Sequence, residues 1–161
     1  MTSNTNIDDF QDPLENYDTK TPEDPLEQAL VEQEVEAIRH EPFSIIAPET
    51  TIKEAIEKLS GLHIACLLVE DKGKLVGVLS ERDILQNVAI EFEQIQDEPV
   101  SSVMTDEPIY VYETDAAVKA LSVMAICGYR HVPIVDLNDN LTGIVSPQRV
   151  VEFLKTNSSK Q

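Results

Sequence analysis

Basic residues are scarce in this chain. Twelve Lys and Arg stand against thirty Asp and Glu in 161 residues, a formal net charge of −18. A field of that sign repels nucleic acid and anionic lipid and argues against both as partners. It also repels nucleotides at long range. Any phosphate site must therefore be built locally, from backbone N–H groups and a few placed Arg, Lys or His side chains. No apolar run approaches the roughly 18 residues that span a bilayer. The N-terminus is polar and acidic, the pattern of neither a signal peptide nor a transit peptide. There are two cysteines, Cys66 and Cys127, in apolar segments without CxxC or His-cluster spacing. They are expected as buried free thiols in a reducing, cytoplasmic setting, with no disulfide or metal site. The phosphate-binding pattern GxxxxGKS/T and the dinucleotide pattern GxGxxG are both absent. His40, His63 and His131 lie in separate segments without metal or triad spacing. No catalytic residue and no cofactor are expected.

What is present is a globular apolar content of 42%, organised as a duplication. Residues 1–25 have few large apolar groups and many acids, and are expected as a disordered acidic tail. That tail is either a solubilising segment or a docking arm with Phe10, Leu14 and Tyr17 as anchors. Residues 26–40 are expected as an amphipathic helix, with Leu26, Leu30, Val35 and Ile38 as its stripe and Pro42 as its stop. The stripe has to pack on the following module or on a second copy of the chain.

Two repeats follow, over 41–98 and 99–156, leaving 157–161 as a polar C-terminal tail. In the first, Phe43-Ser44-Ile45-Ile46 is a short strand. Thr51 and Glu54 have capping-box spacing before a helix carrying Ile52, Ala55, Ile56 and Leu59, with Gly61 at its end or interrupting it. Ile64–Val69 is a buried strand, Asp71-Lys72-Gly73-Lys74 a turn, and Leu75–Leu79 the return strand. Ser80 caps a helix carrying Ile84, Leu85 and Val88. The second repeat runs in the same order: strand Ile109–Tyr112, a helix with Val118, Leu121 and Met124 ending near Gly128, strand Val132–Val135, strand Leu141–Val145, and a helix with Val150, Val151 and Leu154. Pro99–Thr105 is a short helical connector. The pattern predicts a mixed α+β fold built twice on a β-α-β-β-α unit.

Gly77-Val78-Leu79-Ser80-Glu81-Arg82-Asp83 and Gly143-Ile144-Val145-Ser146-Pro147-Gln148-Arg149 close the repeats. Ser80 presents a hydroxyl beside the N–H groups of a helix start, which suits an anion. Asp83, one turn on, can accept from a vicinal diol such as ribose. Gly77 admits close backbone approach. The plainer alternative makes Ser80 a cap and Asp83 a first-turn acid favoured by the helix dipole.

These words, with Val103-Met104-Thr105 and Gly128 through Asp136, resemble a tandem pair of CBS domains, a Bateman module, over about residues 40–156. The chain is similar to stand-alone bacterial CBS-pair proteins. The resemblance implies two repeats related by a pseudo-twofold axis, a homodimer and a regulatory, non-enzymatic role. It implies an adenine nucleotide as ligand, AMP foremost with ADP or ATP as alternatives, in the cleft between repeats, and an unknown protein partner. Carried over, the ligand residues are Gly77, Ser80 and Asp83, facing Val111, Thr114, Tyr129, Arg130 and His131. A second, degenerate site would comprise Ile46, Thr50, Ala65, Ser146 and Arg149. Arg149 cannot accept a hydrogen bond as Asp83 can, so that site is expected to be empty or to bind something else. Arg149 itself would reach a phosphate in the first site or pair with a surface acid. The competing reading is a ligand-free homodimeric scaffold.

Overall fold

The computed structural model describes residues 24–158. The expected acidic tail, with Phe10, Leu14 and Tyr17, lies outside the described residues but for its last two positions. The first repeat begins at β2 (Ile45–Ile46) and turns into α2 (Ile52–Leu62). The Thr51 hydroxyl accepts from the Glu54 N–H at 3.3 Å, and the Glu54 carboxylate accepts from the Thr51 N–H at 3.1 Å. This reciprocal capping box holds the Glu54 carboxyl below its ordinary pKa through the backbone bond first and the hydroxyl second. Ile52, Ala55 and Leu59 bury the inner face of the helix. Gly61 neither ends nor breaks it. The left-handed cap is His63, at φ 53°.

β3 (Cys66–Asp71) and β4 (Lys74–Ser80) form a hairpin. Its two-residue turn places Lys72 and Gly73 at φ 52° and 83°, as a hairpin twisted with its strands requires. The regular helix expected after Ser80 is not formed. A single turn, α3 (Glu81–Asp83), passes into a π turn over Ile84–Val88 and then, after a break, α4 (Phe92–Ile95). The wider π turn rotates the faces relative to a 3.6-residue pattern. Val88 is buried as expected, whereas Leu85 is 72% exposed.

The second repeat comprises β6 (Val111–Tyr112), α5 (Ala117–Cys127), β7 (Val132–Val135), β8 (Leu141–Val145) and α6 (Pro147–Ser158). β6 is shorter than the expected Ile109–Tyr112, and both Ile109 and Tyr110 are exposed. Gly128, at φ 69°, closes α5. α6 runs on through Asn157, which is buried and donates to the Phe153 carbonyl at 2.9 Å. The polar tail expected from residue 157 is thus helix up to Ser158.

The expected helix over 26–40 is α1 (Pro25–Glu32) alone, followed by a 3-10 turn over Val35–Ile38 and by β1 (Arg39–His40). Tertiary hydrogen bonds override the local pattern here. The Gln33 carbonyl accepts from the Ala117 N–H at 2.8 Å, and the Val35 N–H donates to the Asp115 carbonyl at 2.8 Å. Val35 and Ile38 are fully buried against Val111, Ala117 and Ala120, so the stripe packs on the second repeat.

The sheets exchange their edges. One has the order β2-β3-β4-β5, where β5 (Thr105–Asp106) precedes the second repeat; the other has the order β1-β8-β7-β6, where β1 precedes the first. The exchange repeats at an offset of 65 residues: isolated bridges join Glu34 to Ala116 and Thr51 to Pro99. By the same offset α1 is the counterpart of α4. The hairpin tips meet across this pseudo-twofold, with the Leu141 N–H donating to the Gly73 carbonyl at 3.1 Å. Lys74 also reaches the Asn138 carbonyl and the Asn140 side chain. Cys66, Leu68 and Ile144 fill the space between the sheets, with Phe43, Leu75, Val78 and Leu141 against them.

Candidate functional site

The edge exchange explains the two closing glycines. A Cβ on Gly77 would lie 2.3 Å from the Met104 sulfur, and one on Gly143 would lie 2.6 Å from the Arg39 Cδ. Each glycine makes room for a side chain of the exchanged linker. Gly77 is buried and does not line the cleft, so its role is packing and not approach to a ligand.

The exchange also carries Thr105 to the end of β4. There Asp83, 9% exposed, is held from both sides. Its Oδ2 accepts from the Ser80 N–H at 2.7 Å and from the Ser80 hydroxyl at 2.5 Å. Its Oδ1 accepts from the Thr105 hydroxyl at 2.9 Å. A carboxylate offers roughly four lone-pair sites, so a diol can still be accepted at Oδ1. The helix start itself is not an open anion site. The Glu81 N–H donates to the Ala65 carbonyl at 3.1 Å, and the Asp83 N–H to the Ser80 hydroxyl at 3.4 Å.

These groups sit at one end of a cavity of about 290 Å³. Ala65, Val78, Leu85, Pro108, Tyr129 and Pro133 supply apolar wall, and Arg82, Arg130 and His131 supply basic groups with Glu81 among them. Of the expected ligand residues, Ser80, Asp83, Tyr129, Arg130 and His131 converge on this cavity. Val111 does not: it is fully buried in the core beneath α1 and α5 and presents no surface. Thr114 is an exposed loop residue away from the cavity wall.

Burial pushes the Cys66 thiol up to about 12, with the Asp83 carboxylate adding to it, so this wall carries a protonated, unreactive sulfur. Cys66 is buried, whereas Cys127 is exposed against expectation, because it ends α5 next to its cap. Burial also lowers the His131 pKa, with His40 and Arg130 adding to the effect and Glu81 opposing it.

The residues expected at the second site do not assemble. Ile46 is in the first-repeat core, Thr50 is in a turn where its carbonyl accepts from the Val100 N–H at 2.8 Å, and Ala65 lines the first cavity. Ala65-Cys66 and Arg130-His131 are equivalent positions, and both pairs form the wall of one cleft. Ser146 and Arg149 do lie together, beside the linker. The Ser146 hydroxyl is 3.2 Å from His40 Nδ1. Arg149 donates through Nε to the Arg39 carbonyl at 3.1 Å and pairs through a terminal nitrogen with Glu152 at 2.8 Å. Arg39 is itself paired with Glu36 and Glu41. The result is a more open depression, lined by Glu36, Arg39, His40, Glu41, Gln148, Arg149 and Glu152, without an apolar wall. Arg149 therefore pairs with a surface acid, one of the two alternatives open from sequence.

Sequence reasoning missed Arg82 and Thr105 among the polar cavity residues, and Cys66, Val78, Leu85, Pro108 and Pro133 among the apolar ones. The 65-residue offset sets Thr105 against His40, and each bonds the Ser or Asp of a closing motif. That pairing was the available signal. Among the described residues no group of three or more His, Cys, Asp or Glu could hold a metal ion, and no helix is long and apolar enough to cross a membrane.

The CBS domain family model matches residues 35–90 and 100–156. The Arabidopsis thaliana protein "CBS domain-containing protein CBSCBSPB1" is 31% identical over 106 residues, 65% of this chain and 20% of that protein. The chain thus spans about a fifth of the length of that relative. Among solved structures, CBSX2 of Arabidopsis thaliana in complex with AMP is 24% identical with a TM-score of 0.67, covering 76% of this chain and 96% of that one. The CBS domain protein PAE2072 from Pyrobaculum aerophilum, complexed with AMP, is 25% identical with a TM-score of 0.66, covering 77% of this chain and 99% of that one. The fold is that of a tandem CBS pair, and with its two matched domains the chain belongs to the CBS-domain family.

Proposed function

We propose that the chain is a regulatory, non-catalytic module that binds an adenine nucleotide in the first cleft, AMP before ADP or ATP. The observation that carries this reading is the convergence of Ser80, Asp83 and Thr105 with Arg82, Arg130 and His131 around one partly apolar cavity. Asp83 and Ser80 suit the ribose diol, the two arginines suit phosphate oxygens, and the apolar wall suits a purine face. Two structural neighbours are described as AMP complexes, which supports the same assignment. Binding regulates only through different affinity for two states of the chain or its assembly.

The assembly we infer is a homodimer through the helices. Val118 and Ile126 on α5 are 38% and 84% exposed, and Leu62 at the end of α2 is 53% exposed. Sedimentation equilibrium is expected to give twice the chain mass, and a strict monomer contradicts the dimer. Isothermal titration of the full chain with AMP, ADP and ATP tests the ligand. AMP is expected to bind with saturation, and Asp83→Ala to lose at least a factor of ten. No binding of any of the three at millimolar concentration contradicts the reading and favours a ligand-free scaffold.

A further inference from the structure

The cavity wall carries one histidine beside its arginines. His131 lies on the wall just ahead of β7 and is half-buried. The groups facing it come from three places. Arg130 is its chain neighbour, Glu81 stands at the start of α3, and His40 stands on β1 in the neighbouring depression, tied to Ser146. Arg82, Asp83 and Cys66 complete the same wall. Two of the three facing groups, Arg130 and His40, are basic, and the wall around His131 is partly apolar. Burial first, then His40 and Arg130, against Glu81, hold the proton affinity of the imidazole below that of an ordinary histidine.

An anion beside Arg130 reverses that balance. It cancels the repulsion from the guanidinium, and it gives the imidazolium a charge-assisted partner. Resting on the nucleotide reading above, we propose that His131 takes up a proton when the phosphate group enters the cleft. Nucleotide affinity then rises as pH falls. The sign follows from linkage: a group that binds protons more tightly in the complex than in the free chain makes the complex tighter at lower pH.

The experiment is isothermal titration of the full-length chain with AMP between pH 8.0 and 6.0. Each pH is measured in two buffers of different ionisation heat, for the wild type and for His131→Gln. The AMP phosphate itself titrates near pH 6. That contribution is common to both proteins, so the difference between them isolates the histidine. The wild type is expected to gain about three- to sixfold in affinity over His131→Gln from pH 8.0 to 6.0, because a shift of about one pKa unit on binding is worth its full tenfold only well below the free chain's His131 pKa. Its buffer-dependent heat is expected to report net proton uptake that the variant lacks. An NMR titration of the wild type supplies the same answer without a substitution, because three histidines give three resolvable ring signals. The His131 signal is expected to titrate at higher pH with AMP bound. AMP binding with the same pH slope in both proteins, or an unmoved His131 signal, overturns this proposal and leaves the nucleotide site standing. Absence of AMP binding at every pH overturns the nucleotide site and the proposal together.

Discussion

The two clefts are built on equivalent sheets and differ in where the last residue of the closing motif turns. In the first, Asp83 turns inward, held by Ser80 and by Thr105 from the exchanged strand. In the second, Arg149 turns back onto the Arg39 carbonyl and Glu152, and His40 takes the place of Thr105 beside Ser146. One arrangement leaves acceptor capacity facing a partly apolar cavity with basic groups on its wall. The other ties its main cation to partners of its own and leaves a depression with only polar and charged lining. The chain carries two equivalent scaffolds, and in the function proposed above a handful of side chains fits one of them to a nucleoside phosphate.

The largest effect should come from writing the second cleft's residue into the first. Asp83→Arg removes the diol acceptor and the cap together. AMP affinity is expected to fall more than a hundredfold by titration calorimetry, a loss of about 2.7 kcal/mol or more. Retained affinity would mean that the carboxylate does not read the ligand.

The glycines come next. Gly77→Ala drives a Cβ into Met104, which packs against the first-repeat core. A cost of about 1–3 kcal/mol in urea denaturation is expected, the usual range for overpacking. Gly143→Ala displaces the Arg39 side chain and its partly exposed ion pairs, which are worth about 0–1 kcal/mol. Equal costs would break the distinction between a packed and a solvated linker.

The helix starts differ too. Thr51 caps α2, while Ala116, its counterpart, gives α5 no side-chain cap. Thr51→Ala should cost about 1 kcal/mol and Ala116→Thr should add a comparable amount, both read from the denaturation midpoint. No gain from Ala116→Thr would show that the Gln33 carbonyl already does the capping.

The smallest effect is on stability against pH. The free chain's His131 pKa lies below its unfolded value. The unfolded chain therefore binds more protons in that window. The contribution is fully present above about pH 6.5, the ordinary histidine value, and is lost as pH falls through the depressed folded value. Denaturation midpoints between pH 7.5 and 5.5 should fall more steeply for the wild type than for His131→Gln.

Much of this was legible in the sequence where the signal is local. The Thr51–Glu54 spacing gave a capping box, Val132–Val135 gave a strand at those bounds, and the closing motif gave Ser80 and Asp83 side by side. What was not legible depends on which sheet a segment joins. Val35 and Ile38 look like a helical stripe because only the distant Ala117 and Asp115 backbone pulls residues 33–35 out of the helix. Ala65 was assigned to the wrong cleft because equivalence in sequence does not say that both equivalent pairs face one cavity. Val111 has the right place in the repeat for a ligand contact, but it is fully buried in the second-repeat core.

The central claim is an asymmetry of one cleft over the other, and the stoichiometry of AMP binding tests it most directly. Equilibrium dialysis at an AMP concentration that just saturates the wild type should give one AMP per chain for the wild type and for Arg149→Ala, and a small fraction of one for Asp83→Ala. Two per chain in the wild type, or a single site that survives Asp83→Ala and disappears in Arg149→Ala, would contradict it.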